Sequence, residues 1–405
     1  MAIYILATLD TKGVEAAFVR DALAARGLET LLVDCGTSGE PAVPADIARE
    51  RVLAAAGTDL ARVRAQGERG SAVQAAARGA RQLVLEAHAR GELEGVFGLG
   101  GSAGTAIGTE SMRALPLGVP KVMVSTLASG QTRSFVGDRD ITLVNSVVDV
   151  LGINRISRRI LTNAAHALAG MVQAGPVRDA RSDRPLVAAT MFGVTTKCVE
   201  RAKVLLEAEG CEVLVFHATG SGGQAMESLI RDGLISGVLD VTTTELADEL
   251  VGGFLSAGPL RLTAAAHCGV PQVVSVGALD MVNFFGLESV PQAFRERRLH
   301  KHNDHVTLMR TTADENALLG AEIASKLSNA RGPTKVLFPL RGVSALDRDG
   351  QPFDDPAARK ALLEGLLGAR PGVETSVLDL HINDPQFAET AARDLLALMR
   401  LQTSA

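Results

Sequence analysis

The 405-residue chain is 46% hydrophobic and 21% charged, and its formal net charge is −5. That composition excludes an intrinsically disordered chain and lacks the basic excess of a nucleic-acid binder. With no Trp and one Tyr, Tyr4, it also argues against base-stacking platforms, while the length suits two domains.

The first apolar run, residues 2–9, predicts a strand. Asp10-Thr-Lys-Gly13 interrupts it, residues 14–25 follow with helical periodicity, and Gly27 closes that helix before a second strand at 31–33. A later strand at 95–99 runs into the glycine-rich stretch 98–105, Gly-Leu-Gly-Gly-Ser-Ala-Gly-Thr, which opens a further helix. Gly118-Val-Pro then delivers the chain into an apolar run ending at Ser125. After a helical stretch at 163–172, residues 173–185 carry Pro, Gly and charge without periodicity and read as a linker.

The order of events repeats from Leu186. An apolar run at 186–191 is interrupted by residues 192–197, a helix follows at 198–209, Gly210 closes it, and a strand follows at 212–216. Residues 237–244 parallel 95–102, and Gly269-Val-Pro parallels Gly118-Val-Pro. Further strands are expected at 335–339 and 375–380, with helices at 355–367 and 386–398. The fold class is therefore α/β, with two Rossmann-like, doubly wound domains related by internal duplication and spanning 1–176 and 185–405.

Cys35, Cys198, Cys211 and Cys268 contain no CxxC pair and read as free thiols of an intracellular protein. The N-terminus lacks the basic start of a signal peptide. No run approaches the roughly 18 apolar residues of a membrane span, so a soluble, cytoplasmic protein is expected.

Open parallel sheets bind ligands beyond the carboxyl ends of their strands. The loops expected there are rich in Gly, Ser and Thr, which allow close backbone approach. The strongest is 98–105, because a strand that runs into a helix aims unpaired N–H groups at an anion. As a tight turn it would need the same glycines. No Walker A pattern occurs, and the dinucleotide fingerprint is matched only loosely, without its ribose-binding acid. The candidate ligand contacts are Thr11, Lys12, Gly100, Gly101, Ser102, Gly104, Thr105, Ser125, Thr126, Ser129 and Gly130 in the first domain. Thr219, Gly220, Thr243 and Thr244 are their counterparts in the second.

His217, Glu245 and Asp280 are the candidate catalytic groups, as acid, base or metal contact. Asp10 serves either a cation or a helix cap, and Glu245 equally suits a first-turn acid. His300, His302 and His305 have no standard zinc spacing and read first as a solvated connection, while Arg310 suits an anion and His381 sits after a strand.

Residues 98–105, 120–132 and 146–154 in the first half, with 191–196, 215–220, 240–245, 275–284 and 342–347 in the second, carry a family resemblance. The chain resembles the family formed by the N-terminal, ATP-binding inhibitory region of the tomato mosaic virus resistance protein and its bacterial homologues. The resemblance implies two Rossmann-like subdomains, a homodimer, and ATP with Mg²⁺ as ligand. The expected function is an ATP-binding protein that uses ATP on an unidentified small molecule in the cleft between its domains. The alternative is a non-enzymatic nucleotide-binding dimer that regulates or inhibits a partner protein.

Overall fold

The computed structural model describes residues 1–130, 132–175, 184–368 and 372–403. The central part of the expected linker, 176–183, and Gln131 lie outside the described residues. The chain forms two compact units, Met1–Asp179 and Ala180–Ala405.

In the first unit, strands β1 (Ala2–Ala7), β2 (Thr30–Asp34), β3 (Leu93–Gly100), β4 (Lys121–Ser125) and β5 (Thr142–Asn145) form one parallel sheet in the order 2-1-3-4-5. Side chains alternate across it. Ile3, Ile5 and Ala7 face the helices Leu9–Ala24 and Arg155–Ala174, whereas Tyr4 and Leu6 face Arg69–Ala89 and Ser102–Ala114. Because both faces are covered, the strands read as nearly continuous apolar runs.

The second unit has β6 (Leu186–Met191), β7 (Glu212–His217), β8 (Gly237–Thr242) and β9 (Gln272–Gly277), then an antiparallel sheet of β10 (Met281–Phe284), β11 (Leu299–Asn303) and β12 (Val306–Arg310). Strands β13 (Thr334–Pro339) and β14 (Glu374–Leu378) complete a parallel sheet in the order 7-6-8-9-13-14. The four strands from β6 to β9 retrace the order of β1 to β4, and β13 takes the place of β5. The internal duplication is therefore visible in the topology. Gly27 and Gly210, at φ +75° and +88°, close equivalent helices, and Asp34 and His217 end equivalent strands.

The antiparallel sheet was not foreseen. Its strand β11 and the turn after it contain the 300–305 histidine segment, expected to be an irregular connection. Among the described residues no group of three or more His, Cys, Asp or Glu is placed to hold a metal ion. Nor is any described helix long and apolar enough to cross a membrane.

Candidate functional site

In each sheet the strand order reverses beside the first strand, between β1 and β3 in the first unit and between β6 and β8 in the second. Ligands of open α/β sheets bind at such switch points. In the first unit the segments that meet there are the start of the helix Leu9–Ala24, entered through Thr8, and the turn 100–102, since β1 pairs with β3 through Leu6 and Gly98.

The glycines of the 98–105 stretch have separate duties. A Cβ on Gly98 would meet Met123 Sδ at 2.5 Å, and one on Gly104 would meet Leu99 O at 2.8 Å. These two let the helix Ser102–Ala114 close on the sheet. Gly100, at φ +149°, makes the turn. Gly101 is different: its φ is −80°, and an added Cβ would find only Thr126 Oγ1, at 3.8 Å. The space before this helix is therefore open. The N-cap residue is Gly101, and among the described residues nothing accepts from the N–H groups of Ser102, Ala103 and Gly104, which leaves them to an outside acceptor. Ser102 is exposed and Gly101 and Thr126 are half-buried.

Two expected ligand contacts engage each other. Thr105 and Ser125 are buried, and their hydroxyls hydrogen-bond each other at 2.7 Å. Thr105 Oγ1 also donates to Gly101 O, and Ser125 Oγ accepts from Leu127 N–H. They brace the cradle rather than line it. Ser129 and Gly130 are exposed farther along the β4 loop, and Thr11 is exposed on the β1 loop with its hydroxyl against Thr8 Oγ1 at 2.8 Å. Lys12 sits at a kink in the first helix, half-buried, without a hydrogen-bond or ion-pair partner among the described residues. Asp10 is not the helix cap, which is Thr8. Its Oδ2 accepts from Ser38 N–H at 3.0 Å and Gly39 N–H at 3.1 Å, tying the β2 loop to the β1 loop.

The equivalent turn in the second unit, residues 242–244, is buried. Beside it, Glu245 Oε1 accepts from Gly220 N–H at 2.7 Å and Gly223 N–H at 3.1 Å, so an internal carboxylate fills the amides of the glycine loop after β7, the counterpart of the loop after β2. Its Oε2 meets Arg261 Nε at 2.6 Å. Arg261 has no exposed side-chain surface and also reaches Asp240 through both terminal nitrogens, at 2.5 and 2.7 Å, with Glu227 at 3.5 Å. Burial pushes the Glu245 carboxyl upward, and the Arg261 charge opposes that rise. Thr219 Oγ1 turns back to His217 O. Thr243 Oγ1 donates to Ser275 O, Thr244 Oγ1 accepts from Asn283 Nδ2 at 3.4 Å, and neither residue is exposed.

Asp280 belongs to another buried network. Its Oδ2 accepts from Ser344 Oγ at 2.7 Å, and its Oδ1 has no partner. Neighbouring Asp347 is held by Arg359 Nη1 at 2.7 Å and more loosely by Arg310 at 3.4 Å. Burial, then the Asp347 charge, push the Asp280 carboxyl up to about 7. His217, by contrast, is exposed at the end of β7, its ring edge-on to Phe192 at 5.4 Å. Among the described residues no hydrogen bond or ion pair joins His217, Glu245 and Asp280, and the two acids have no exposed surface. The expected catalytic trio does not assemble in this conformation.

Two further expectations give way to structural roles. Arg310 is buried and donates to Phe353 O and the Thr311 hydroxyl, so it is no anion clamp. His381 Nδ1 accepts from Asn383 N–H at 3.0 Å, which leaves Nε2 to donate to Ser344 O at 2.8 Å. Burial lowers its pKa, in keeping with that neutral tautomer. Sequence reasoning missed Arg261, whose sequence neighbourhood of Pro259-Leu-Arg-Leu-Thr263 gives no sign of three acids gathering around it.

Two doubly wound α/β units, one with an open amide cradle at its switch point, define a Rossmann-like protein with a candidate anion site. Residues 1–176 match the N-terminal domain, and 184–399 the C-terminal domain, of the Uncharacterised protein family (UPF0261). The chain belongs to that family. A "UPF0261 protein" of Clostridium tetani is 49% identical over 98% of both chains. The "ToMV resistance protein Tm-1(GCR237)" of Solanum lycopersicum is 45% identical over 82% of this chain, which spans 45% of that protein. Among solved structures, S. aureus MnaA with UDP aligns at a TM-score of 0.18 and 9% identity over 92% of this chain and 99% of that one, a likeness too weak to carry any argument.

The two buried networks have measurable consequences. Arg261→Met leaves Asp240, Glu245 and Glu227 without their common cation and should lower unfolding free energy by about 3–5 kcal/mol in chemical denaturation. For Asp280 the folded pKa is raised above the unfolded one. Its contribution is therefore fully present below about pH 4 and is lost as pH rises through about 7. Asp280→Asn should flatten that part of the pH profile and make the variant more stable than the parent at pH 8, by about 1–3 kcal/mol. An unchanged difference between the two proteins from pH 4 to 8 would show that Asp280 does not carry the raised pKa.

Proposed function

We propose that the chain is an ATP-binding protein whose phosphate site is the cradle at Gly101, Ser102, Ala103 and Gly104. The supporting observation is the contrast between the equivalent turns after the third strand of each unit. In the second unit Thr242, Thr243 and Thr244 are buried, while in the first Ser102 is exposed, Gly101 is half-buried with open space beside it, and among the described residues no acid takes the first-turn amides of the helix Ser102–Ala114. Those amides lie at a switch point, with the helix dipole behind them and Lys12 at the kink of the adjoining helix Leu9–Ala24. Amides and a lysine suit phosphate oxygens. Mg²⁺ would then be held mainly by the phosphates and water, since Asp10, the acid on the β1 loop, already has one oxygen engaged by two amides.

Of the two activities compatible with ATP binding, a nucleotide-dependent regulator has the better support. An ATP-dependent enzyme acting on a small molecule needs acid, base or metal contacts, and Glu245 and Asp280 are sealed within the second unit. A module that binds nucleotide and controls a partner protein, as a homodimer of the kind the family resemblance implies, needs none of these. Four free cysteines fit the reducing cytoplasm.

Gly101→Val tests the placement. The φ of −80° suits a side chain, and a Cβ there would meet nothing nearer than Thr126 Oγ1 at 3.8 Å. The variant should fold normally yet bind Mg-ATP at least about tenfold more weakly by calorimetry, the cost of blocking one charge-assisted contact. Lys12→Ala should weaken binding by a similar factor, with the loss shrinking as salt is raised. Parental affinity in a folded Gly101→Val protein would remove the cradle from the ligand site.

A further inference from the structure

The loop that follows β5 pairs backbone strain with outward-facing apolar side chains. Val147 has φ +62°, a conformation that β-branched residues rarely adopt. Val148 N–H donates across it to Ser146 O at 2.6 Å, an i to i+2 bond that together with the positive φ marks the strained form of γ-turn. Val147 N–H is itself taken by Asn145 Oδ1 at 3.2 Å.

The loop is anchored on both sides of this turn. Ser146 N–H donates to Ser125 O at 3.2 Å, and Gly152 N–H donates to Oε1 of the buried Glu15 at 2.7 Å. An anchored backbone thus holds Val147 at 70% and Leu151 at 73% exposure, where neither gains from burial. Strain of this kind persists only where surrounding structure imposes it, and it concentrates at ligand sites.

Position supplies the occupant. Strand β5 pairs with β4, and β4 with β3, so the end of β5 lies two strand spacings, about 10 Å, from the Gly100 turn on the same carboxyl edge. That is a span a nucleotide covers between its phosphates and its base. The exposed Val147 and Leu151 side chains offer apolar surface against which the face of a flat ring can lie.

We propose that Val147 and Leu151 form the base-binding wall of the first unit's site, against which the apolar face of a purine lies when its phosphates occupy the Gly101–Gly104 amides. This assignment rests on the phosphate reading above. The strained turn presets the wall, so binding does not have to order it.

The experiment compares ATP with inorganic tripolyphosphate, both with Mg²⁺, on the full chain by calorimetry. Val147→Gly suits the positive φ and should leave the melting temperature unchanged or raised; Leu151→Ser alters only an exposed position. Each should weaken ATP by about tenfold and leave tripolyphosphate within about twofold of the parent. If both variants bind ATP as the parent does while Gly101→Val loses both ligands, the wall is wrong and the phosphate site stands. If the variants change the oligomeric mass in light scattering and not the ATP affinity, the apolar loop is a self-association surface and the proposal falls. A parent protein that binds neither ligand overturns the phosphate reading and the wall with it.

Discussion

The carboxyl edges of both sheets are organised by one requirement, that the backbone N–H groups of their glycine-rich turns find acceptors. A buried amide without a partner is costly, and a helix start exposes several at once. This chain meets the demand repeatedly with its own carboxylates. Asp34 Oδ1 takes the Leu9 and Gly36 amides, Asp10 takes Ser38 and Gly39, Glu227 takes Leu262 and Ala264, and Glu245 takes Gly220 and Gly223. Asp34, Asp10 and Glu245 each tie a strand-end loop to another segment, and Glu227 holds the start of the helix Ala264–Cys268. Among the described residues no acid takes the amides of the turn at Gly101, and that difference separates a self-sealed loop from a candidate site.

Internal carboxylates bring a second requirement of their own. Asp240, Glu245 and Glu227 gather around Arg261 with one positive charge among them. Arg261 is held well above its ordinary pKa by these acids, so the cation persists in spite of burial. The guanidinium fork matches Asp240 bidentately and still spares its Nε for Glu245. A lysine has no such fork and would leave part of that acidic set unpaired. Part of the polar crowding in the second unit therefore ties its loops together.

Much of the architecture was legible because it is written in periodicity and punctuation. Gly27, Gly210, Gly118 and Gly269 all adopt positive φ at the helix-to-strand turns where their spacing placed them. The strand order agrees between halves because the same sequence of runs and breaks builds both. The insertion of β10, β11 and β12 was not legible, since Met281–Phe284 is short and apolar and the strongly polar β11 carries no core-facing alternation. The chemistry at the strand ends was legible only as residue type. Thr105 and Ser125 look like ligand contacts in sequence and prove to be partners of each other, because whether a hydroxyl points outward depends on the neighbouring strand.

The duplicated halves also show why a shared topology need not give two equivalent sites. At the equivalent turn after the third strand, the first unit has Gly100-Gly101-Ser102 and the second has Thr242-Thr243-Thr244. Threonine fills the volume that glycine leaves open. Its hydroxyls satisfy nearby polar groups, as Thr242 Oγ1 does with Thr195 Oγ1 at 2.8 Å and Thr243 Oγ1 with Ser275 O. From Thr242 through Asp248 no residue keeps exposed surface. One half has spent its switch point on internal cohesion while the other has kept an open amide cradle, so ligand chemistry is expected to concentrate in the first unit. The second unit would then contribute through its surfaces rather than through its sealed acids.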